Sequence, residues 1–314
     1  MYLDFYKLSS KPFQLTPDLN FLFPSKGHKR ALAYLHYGLE QREGFVVITG
    51  DVGTGKTMLI EALVVELADQ KVATTRVEGA NLGAESLIST VSAAFGRKFE
   101  GRGKVALLED LRECLLNSQQ YLDSVLLIVD EAQTLTPAAL EELRILSNLQ
   151  SNGRALIQIF LVGQMELMRT LTSQAMEQLR QRVIASYKLE PLSVAETNEY
   201  ITYRLRAAGW DDDPKFSEEV LAEIHKCSKG IPRKINLLMD RMLVYGFLEE
   251  LHELQPDHIG AVLKEIGQEL AGDLGGIPRS MRAKKTPAQR VEHRLSAIER
   301  MLGKLTADES PDQN

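Results

Sequence analysis

Residues Gly50-Asp51-Val52-Gly53-Thr54-Gly55-Lys56-Thr57 match G-x-x-x-x-G-K-[ST], the spacing of a phosphate-binding P-loop. The chemistry needs these residue types. Glycines let successive backbone N–H groups turn inward with no Cβ in the way, and the positive end of a following helix adds to the attraction for polyphosphate. Lys56 is expected to reach the β- and γ-phosphates and the Thr57 hydroxyl to ligate Mg²⁺. Gly50, Asp51, Val52, Gly53, Thr54, Gly55, Lys56, Thr57 and Met58 together form the expected nucleotide cradle. A second acidic site answers it. Val125-Leu126-Leu127-Ile128-Val129 is continuously apolar and ends in Asp130-Glu131, the Walker B pattern. Asp130 would hold the metal, directly or through water, and Glu131 would polarise the water that attacks the γ-phosphate. A passive nucleotide binder needs only the first acid; a hydrolase needs both.

Strand–helix alternation must position these groups. Phe45–Thr49 reads as a strand running into the loop, and Met58–Ala68 as the helix leaving it. A helix precedes them from about Gly27 to Gln41. Lys71–Val77 reads as a strand, followed by helices around Ala84–Phe95 and Val105–Tyr121. After the acidic strand, Thr136 suits the N-cap and Pro137 the first position of a helix reaching about Gln150. Ala155–Val162 and Ile184–Leu189 complete the strands. Such alternation implies βαβ crossovers and a parallel sheet covered by helices on both faces, with ligands at the carboxyl ends of the strands. The P-loop, Asp130-Glu131 and Gln164 all fall at such ends.

From Leu192 the strand signals stop. Ser193 and Glu196 form a capping box, Ser217 caps a second helix, and Pro232 and Pro256 open a third and a fourth. The domains expected are an aromatic, proline-punctuated arm over 1–27, a nucleotide-binding α/β domain over 28–191, an all-helical module over 192–270, a linker over 271–289, a coiled-coil-like helix over 290–306 and a disordered tail over 307–314. That last helix spaces Val291, Leu295, Ile298, Leu302 and Leu305 as a two-heptad seam, and its basic surroundings read as a solvated tail or a docking segment.

Composition narrows the setting. Apolar content of 44% and charged content of 25% fit a globular chain that needs no staples. Cys114 and Cys227 are far apart with no C-x-x-C, so neither a disulfide framework nor a zinc site is expected, and both read as packing residues. No apolar run approaches the roughly 18–20 residues that cross a bilayer, and the N-terminus lacks a signal-peptide pattern, so a cytoplasmic location is expected, with any membrane contact peripheral. A net charge of −6 opposes broad nonspecific nucleic-acid binding.

The P-loop, the apolar-Asp-Glu strand and the helical module behind them resemble the AAA+ ATPases. Tyr2-Leu3-Asp4-Phe5-Tyr6, Lys11-Pro12-Phe13, Thr16-Pro17-Asp18, His28 with Ala31-Leu32, and Gly44-Phe45 resemble the general secretion pathway protein A (ExeA-like) group over about residues 1–270. Within it the chain is similar to the secretion ATPases of exosortase (PEP-CTERM) and exopolysaccharide loci. The resemblance implies an α/β P-loop NTPase (AAA+) core with a C-terminal helical lid and a short coiled-coil tail, using ATP and Mg²⁺. It implies a sensor 1 role for Gln164, toward the γ-phosphate or the attacking water. It implies a sensor 2 role for Arg233 within Gly230-Ile231-Pro232-Arg233, and a trans-acting arginine finger at Arg180 or Arg182. His28 reads as a packed or exposed histidine, with the adenine side of the site as the other option. Nothing after residue 270 resembles the transmembrane and peptidoglycan-binding regions of larger members, so a cytoplasmic motor is expected. The expected function is ATP hydrolysis driving assembly or export of a secreted protein or surface polysaccharide, in a homo-oligomer with an envelope partner. A DNA-binding transposition or loading ATPase, and a regulatory switch with little turnover, are the alternatives.

Overall fold

The computed structural model describes residues 1–269. The expected linker, coiled-coil seam and tail lie outside the described residues. Along the chain, α1 (Tyr2–Phe5) precedes α2 (Lys26–Gln41), β1 (Phe45–Gly50), α3 (Lys56–Leu67) and β2 (Val72–Glu78). Next come α4 (Ala84–Ala94), α5 (Lys104–Ser118), β3 (Ser124–Asp130) and α6 (Pro137–Ser147). A small hairpin, β4 (Gln150–Ser151) and β5 (Arg154–Ala155), leads to β6 (Gln158–Gly163), α7 (Met165–Leu171), α8 (Glu177–Arg180) and β7 (Val183–Leu189). The remainder is α9 (Val194–Ala207), β8 (Lys215–Phe216), α10 (Glu218–Ser228), α11 (Pro232–Leu248), β9 (Glu253–Leu254) and α12 (Pro256–Glu269).

Two compact units divide these elements. One comprises Leu15–Tyr203 with Lys229–Arg233; the other gathers Met1–Gln14, Arg204–Ser228 and the described residues from Lys234. The aromatic segment expected as one arm is therefore shared between them.

The first unit is built on a five-stranded sheet in the order β2-β3-β6-β1-β7, parallel throughout. Its three inner strands are apolar without a break because both faces are covered. Alternate residues serve opposite cores. Val47, Leu127, Val129, Ile159 and Leu161 face α4, α5 and α6 through Leu87, Leu111 and Leu143. Val46, Ile48, Leu126, Ile128 and Phe160 face α2 and α3 through Leu35, Leu59, Ile60 and Leu63. The register sets Thr49 beside Gly163 and Val129 beside Leu161, so β1, β6 and β3 end at one level.

The strand expected over Ala155–Val162 starts later. Asn152 and Gly153 both take positive φ, 52° and 75°, and turn the chain into the β4–β5 hairpin. That pairing takes Ala155 out of the main ladder. Leu156 then donates its N–H to the Leu149 carbonyl at 2.8 Å, and the sheet is joined only at Gln158.

In the second unit, α1 is tied by its aromatic hydroxyls. Tyr2 donates to Asp240 Oδ1 at 2.9 Å and Tyr6 to the Leu251 carbonyl at 2.8 Å. Phe5 stacks on His252 with ring centres 5.0 Å apart. β8 and β9 pair in parallel, Phe216 beside Leu254. Among the described residues no helix is long and apolar enough to cross a membrane.

Thr136 caps α6 as its sequence implies, its hydroxyl accepting the Ala139 N–H at 3.2 Å ahead of Pro137 at the first turn. Because α6 carries Leu140, Leu143 and Leu146 into the core, T136A should lower unfolding stability by about 1 kcal/mol while T136S retains it. Denaturant titration with equal midpoints for all three proteins would contradict the cap.

Candidate nucleotide site

The loop between β1 and α3 has the shape of an anion cradle. Gly53 and Gly55 hold φ of +84° and +99°, which side-chain-bearing residues rarely adopt. A Cβ on Gly53 would lie 2.5 Å from Arg233 Cβ, and one on Gly55 would lie 2.7 Å from His28 Nε2. The first intrahelical bond runs from Leu59 N–H to the Gly55 carbonyl at 3.0 Å. By helix geometry the N–H groups of Lys56, Thr57 and Met58 have no intrahelical acceptor, which leaves them to a ligand. Thr54 is buried and structural: its hydroxyl donates to the Asp51 carbonyl at 2.9 Å. Asp51 and Val52 form the exposed outer lip.

Lys56 is buried, and its ammonium donates to the carbonyls of Gly50 at 2.9 Å and Asp51 at 3.0 Å. Burial pushes its pKa below the ordinary lysine value, while Glu131, Asp130 and Asp51 pull it up. Two neutral carbonyls are weak partners for a buried cation, and a phosphate would be a strong one.

Across the sheet, Asp130 closes β3 with only 3% of its surface exposed. Arg76 Nη2 donates to its Oδ2 at 2.5 Å, and the Glu131 backbone N–H to its Oδ1 at 2.9 Å. Arg76 was not singled out in the sequence. Its position follows from the β2–β3 register: it sits opposite Ile128, two residues before Asp130 and on the same face. A lone arginine in a strand of Val, Ala and Thr was the available signal. A carboxylate this buried needs a counter-charge, and here a protein cation supplies it.

Glu131 is exposed and turns the chain at φ 50°. Gln164, at the N-cap of α7, brings its side-chain nitrogen to 3.4 Å from Glu131 Oε2. The structure thus joins β3 and β6 at the two residues expected to handle water. Gln133, also not singled out, donates to the same oxygen.

Arg233 belongs to the same unit as the P-loop, and its N–H donates to the Gly53 carbonyl at 3.2 Å. His28 is packed rather than open. Ser25 Oγ accepts the His28 backbone N–H and lies 2.7 Å from its Nδ1, while the ring reaches the Gly55 backbone. Burial favours its neutral form. Arg180 and Arg182 are not brought to this chain's own P-loop. Arg182 precedes β7, its carbonyl accepting the Phe45 N–H at 2.8 Å, at the end of the sheet where β1 begins. Strand rise over β1 separates that end from the loop by roughly 20 Å. Arg180 is exposed and donates to the Thr172 carbonyl at 3.1 Å.

These residues fit a magnesium nucleotide. A Cβ at Gly53 or Gly55 would fill the cradle, a buried ammonium lies beside it, and Thr57 and Asp130 carry oxygens of the kind a hard cation takes. Among the described residues no cluster of three or more His, Cys, Asp or Glu could hold a metal ion. Bound there, the metal would neutralise charge on the phosphates. Lys56 would then orient the phosphates, Asp130 would stand on the metal side, and Glu131 with Gln164 would hold the water.

K56A should weaken binding of magnesium ATP roughly tenfold or more in a fluorescence titration, since a charge-assisted hydrogen bond is worth about 1.5–3 kcal/mol. Unchanged affinity would remove Lys56 from the site. R76A should lower the unfolding midpoint without nucleotide, and the deficit should shrink when magnesium nucleotide is added, because the metal takes over the counter-charge on Asp130. A deficit that is the same with and without ligand would contradict this.

Residues 39–171 match the model of an AAA domain. Over 267 residues the chain is 36% identical to General secretion pathway protein A of Aeromonas hydrophila, covering 85% of this chain and 48% of that protein. The chain thus spans about half the length of this relative. Among solved structures it is similar to Cdc6p from Pyrobaculum aerophilum, with a TM-score of 0.62 and 18% identity over 84% of this chain and 73% of that one. It is also similar to the Aeropyrum pernix ORC1 protein in complex with DNA, with a TM-score of 0.61 and 14% identity over 84% of this chain and 71% of that one. Those likenesses establish the AAA+ fold. With the phosphate cradle and the Asp130–Glu131 pair, these comparisons make the chain an AAA+ P-loop ATPase using ATP and Mg²⁺, similar over 267 residues to General secretion pathway protein A.

Proposed function

We propose that this ATPase drives assembly or export of a secreted protein or surface polysaccharide, in the manner of the secretion ATPases of exosortase and exopolysaccharide loci. The observation that carries the reading is a water-handling pair, Glu131 and Gln164, beyond the metal-side Asp130 on a chain 36% identical to a secretion-pathway protein. A passive nucleotide switch has no use for that pair. Motion would start where Arg233 meets Gly53: a guanidinium there would gain a partner when a γ-phosphate is present and lose it on hydrolysis.

The working form in this proposal is a homo-oligomer, located in the cytoplasm or peripherally at the inner membrane beside an envelope partner. Arg180 and Arg182 are remote from their own P-loop, so either can act on phosphates only across a subunit boundary. Such a finger raises turnover by about 10³–10⁵-fold. ATPase activity per subunit should therefore rise with protein concentration, and R180A or R182A should flatten that rise while leaving nucleotide affinity intact. Activity strictly proportional to protein at every concentration would sink the finger. Copurification with envelope-export components from native extract would support the export role. A salt-dependent DNA shift lost on deleting residues 279–305, with no envelope component recovered, would replace it with a DNA-loading role.

A further inference from the structure

Gln133 lies two residues beyond Glu131, in the short 3-10 turn that follows β3. Its side-chain oxygen accepts the backbone N–H of Gln164 at 2.9 Å, and its nitrogen donates to Glu131 Oε2 at 2.5 Å. The partners fix the orientation of the amide: a peptide N–H can only donate, so the oxygen must face Gln164 and the nitrogen is left for the carboxylate. The Gln164 side chain donates to the same Glu131 oxygen at 3.4 Å, which closes a ring through residues 131, 133 and 164. Both bonds fall on Oε2 and leave Oε1 to the water.

The packing is built around this link. A Cβ on Gly163 would lie 2.6 Å from the Gln133 side-chain oxygen and 3.2 Å from its backbone nitrogen, so the carboxamide occupies the space a side chain at 163 would need. Glu131 itself sits in the left-handed region at φ 50°, which a non-glycine residue holds only when its surroundings enforce it. Glutamine suits the place because one rigid plane carries an acceptor and a donor side by side. Glutamate would keep the acceptor and set a second carboxylate against Glu131; leucine would keep the shape and lose both.

We propose that Gln133 is a positioning residue for hydrolysis: it holds Glu131 in its water-facing rotamer and locks it to the backbone at the tip of β6. A shift of that tip, from the Gln164 side, then moves the base with it. The proposal rests on Glu131 being the base, and it is independent of any export role.

The test uses the purified full chain at a concentration where the wild type turns over, with Q133L, Q133E and E131Q measured in parallel. Q133L should lower kcat by about ten- to a hundredfold, the scale of a misplaced catalytic group. KM and the affinity for a non-hydrolysable ATP analogue should stay within about twofold, and the unfolding midpoint should not move. Q133E should also lose turnover, which isolates the donor to Glu131. Adding Q133L to E131Q should cost little more than E131Q alone, because the two residues act as a unit. Q133L at the wild-type rate beside an inactive E131Q would overturn the role of Gln133 alone. Loss of kcat in step with analogue affinity and unfolding midpoint would reduce Gln133 to a structural residue, and multiplicative losses in the double variant would do the same. An E131Q protein at the wild-type rate would overturn the base assignment and this role with it.

Discussion

Parallel pairing of β1, β6 and β3 holds the site together. Thr49 beside Gly163 and Leu161 beside Val129 bring three strand ends to one level. The chain leaving each end then carries a different part of the candidate site: the glycine loop, Gln164, and Asp130 with Glu131. None of these segments makes a site alone. The continuous apolar strands, packed on both faces, are what prevent a one-residue slip, because a slip would exchange the residues facing the two cores.

Charge at the site is balanced in two local pairs. Lys56 is a buried cation resting on two carbonyls, and Asp130 is a buried anion resting on Arg76. Each partner is local and leaves room for a ligand of stronger charge. A protein that must bind and release a charged nucleotide repeatedly needs that middle ground: stronger internal partners would compete with the ligand, and none at all would leave uncompensated buried charges.

Much of this was legible in the sequence where the determinants are local. The P-loop, the acidic strand tip, the Thr136 cap and the Ser193–Glu196 box, observed with Ser193 Oγ 2.9 Å from Glu196 Oε2, are all set by residues within a few positions of each other. Other features depend on register or on distant partners. Arg76 reaches Asp130 only because β2 pairs with β3 opposite Ile128. Gln133 reaches Gln164 only because Gly163 yields its space. Tyr2 and Asp240 are separated by 238 positions, so nothing near Tyr2 announces that the start of the chain packs with the C-terminal helices. The Asn152–Gly153 turn lies just ahead of the apolar run Ala155–Val162, and nothing local in that run shows that its first residues pair back across the turn instead of joining the sheet.

β2 is the outermost strand of its sheet, zippered to a neighbour along one side only. It is also the strand that carries Arg76. Border strands are the first to fray. When β2 opens, the guanidinium leaves with it, and the carboxylate at the tip of β3 is exposed to whatever cation is nearby. Breathing of the sheet's edge and readiness for metal are thus coupled through Arg76 and through the pairing of Glu78 with Asp130, so amide exchange along residues 72–78 should follow the ligand state of the site.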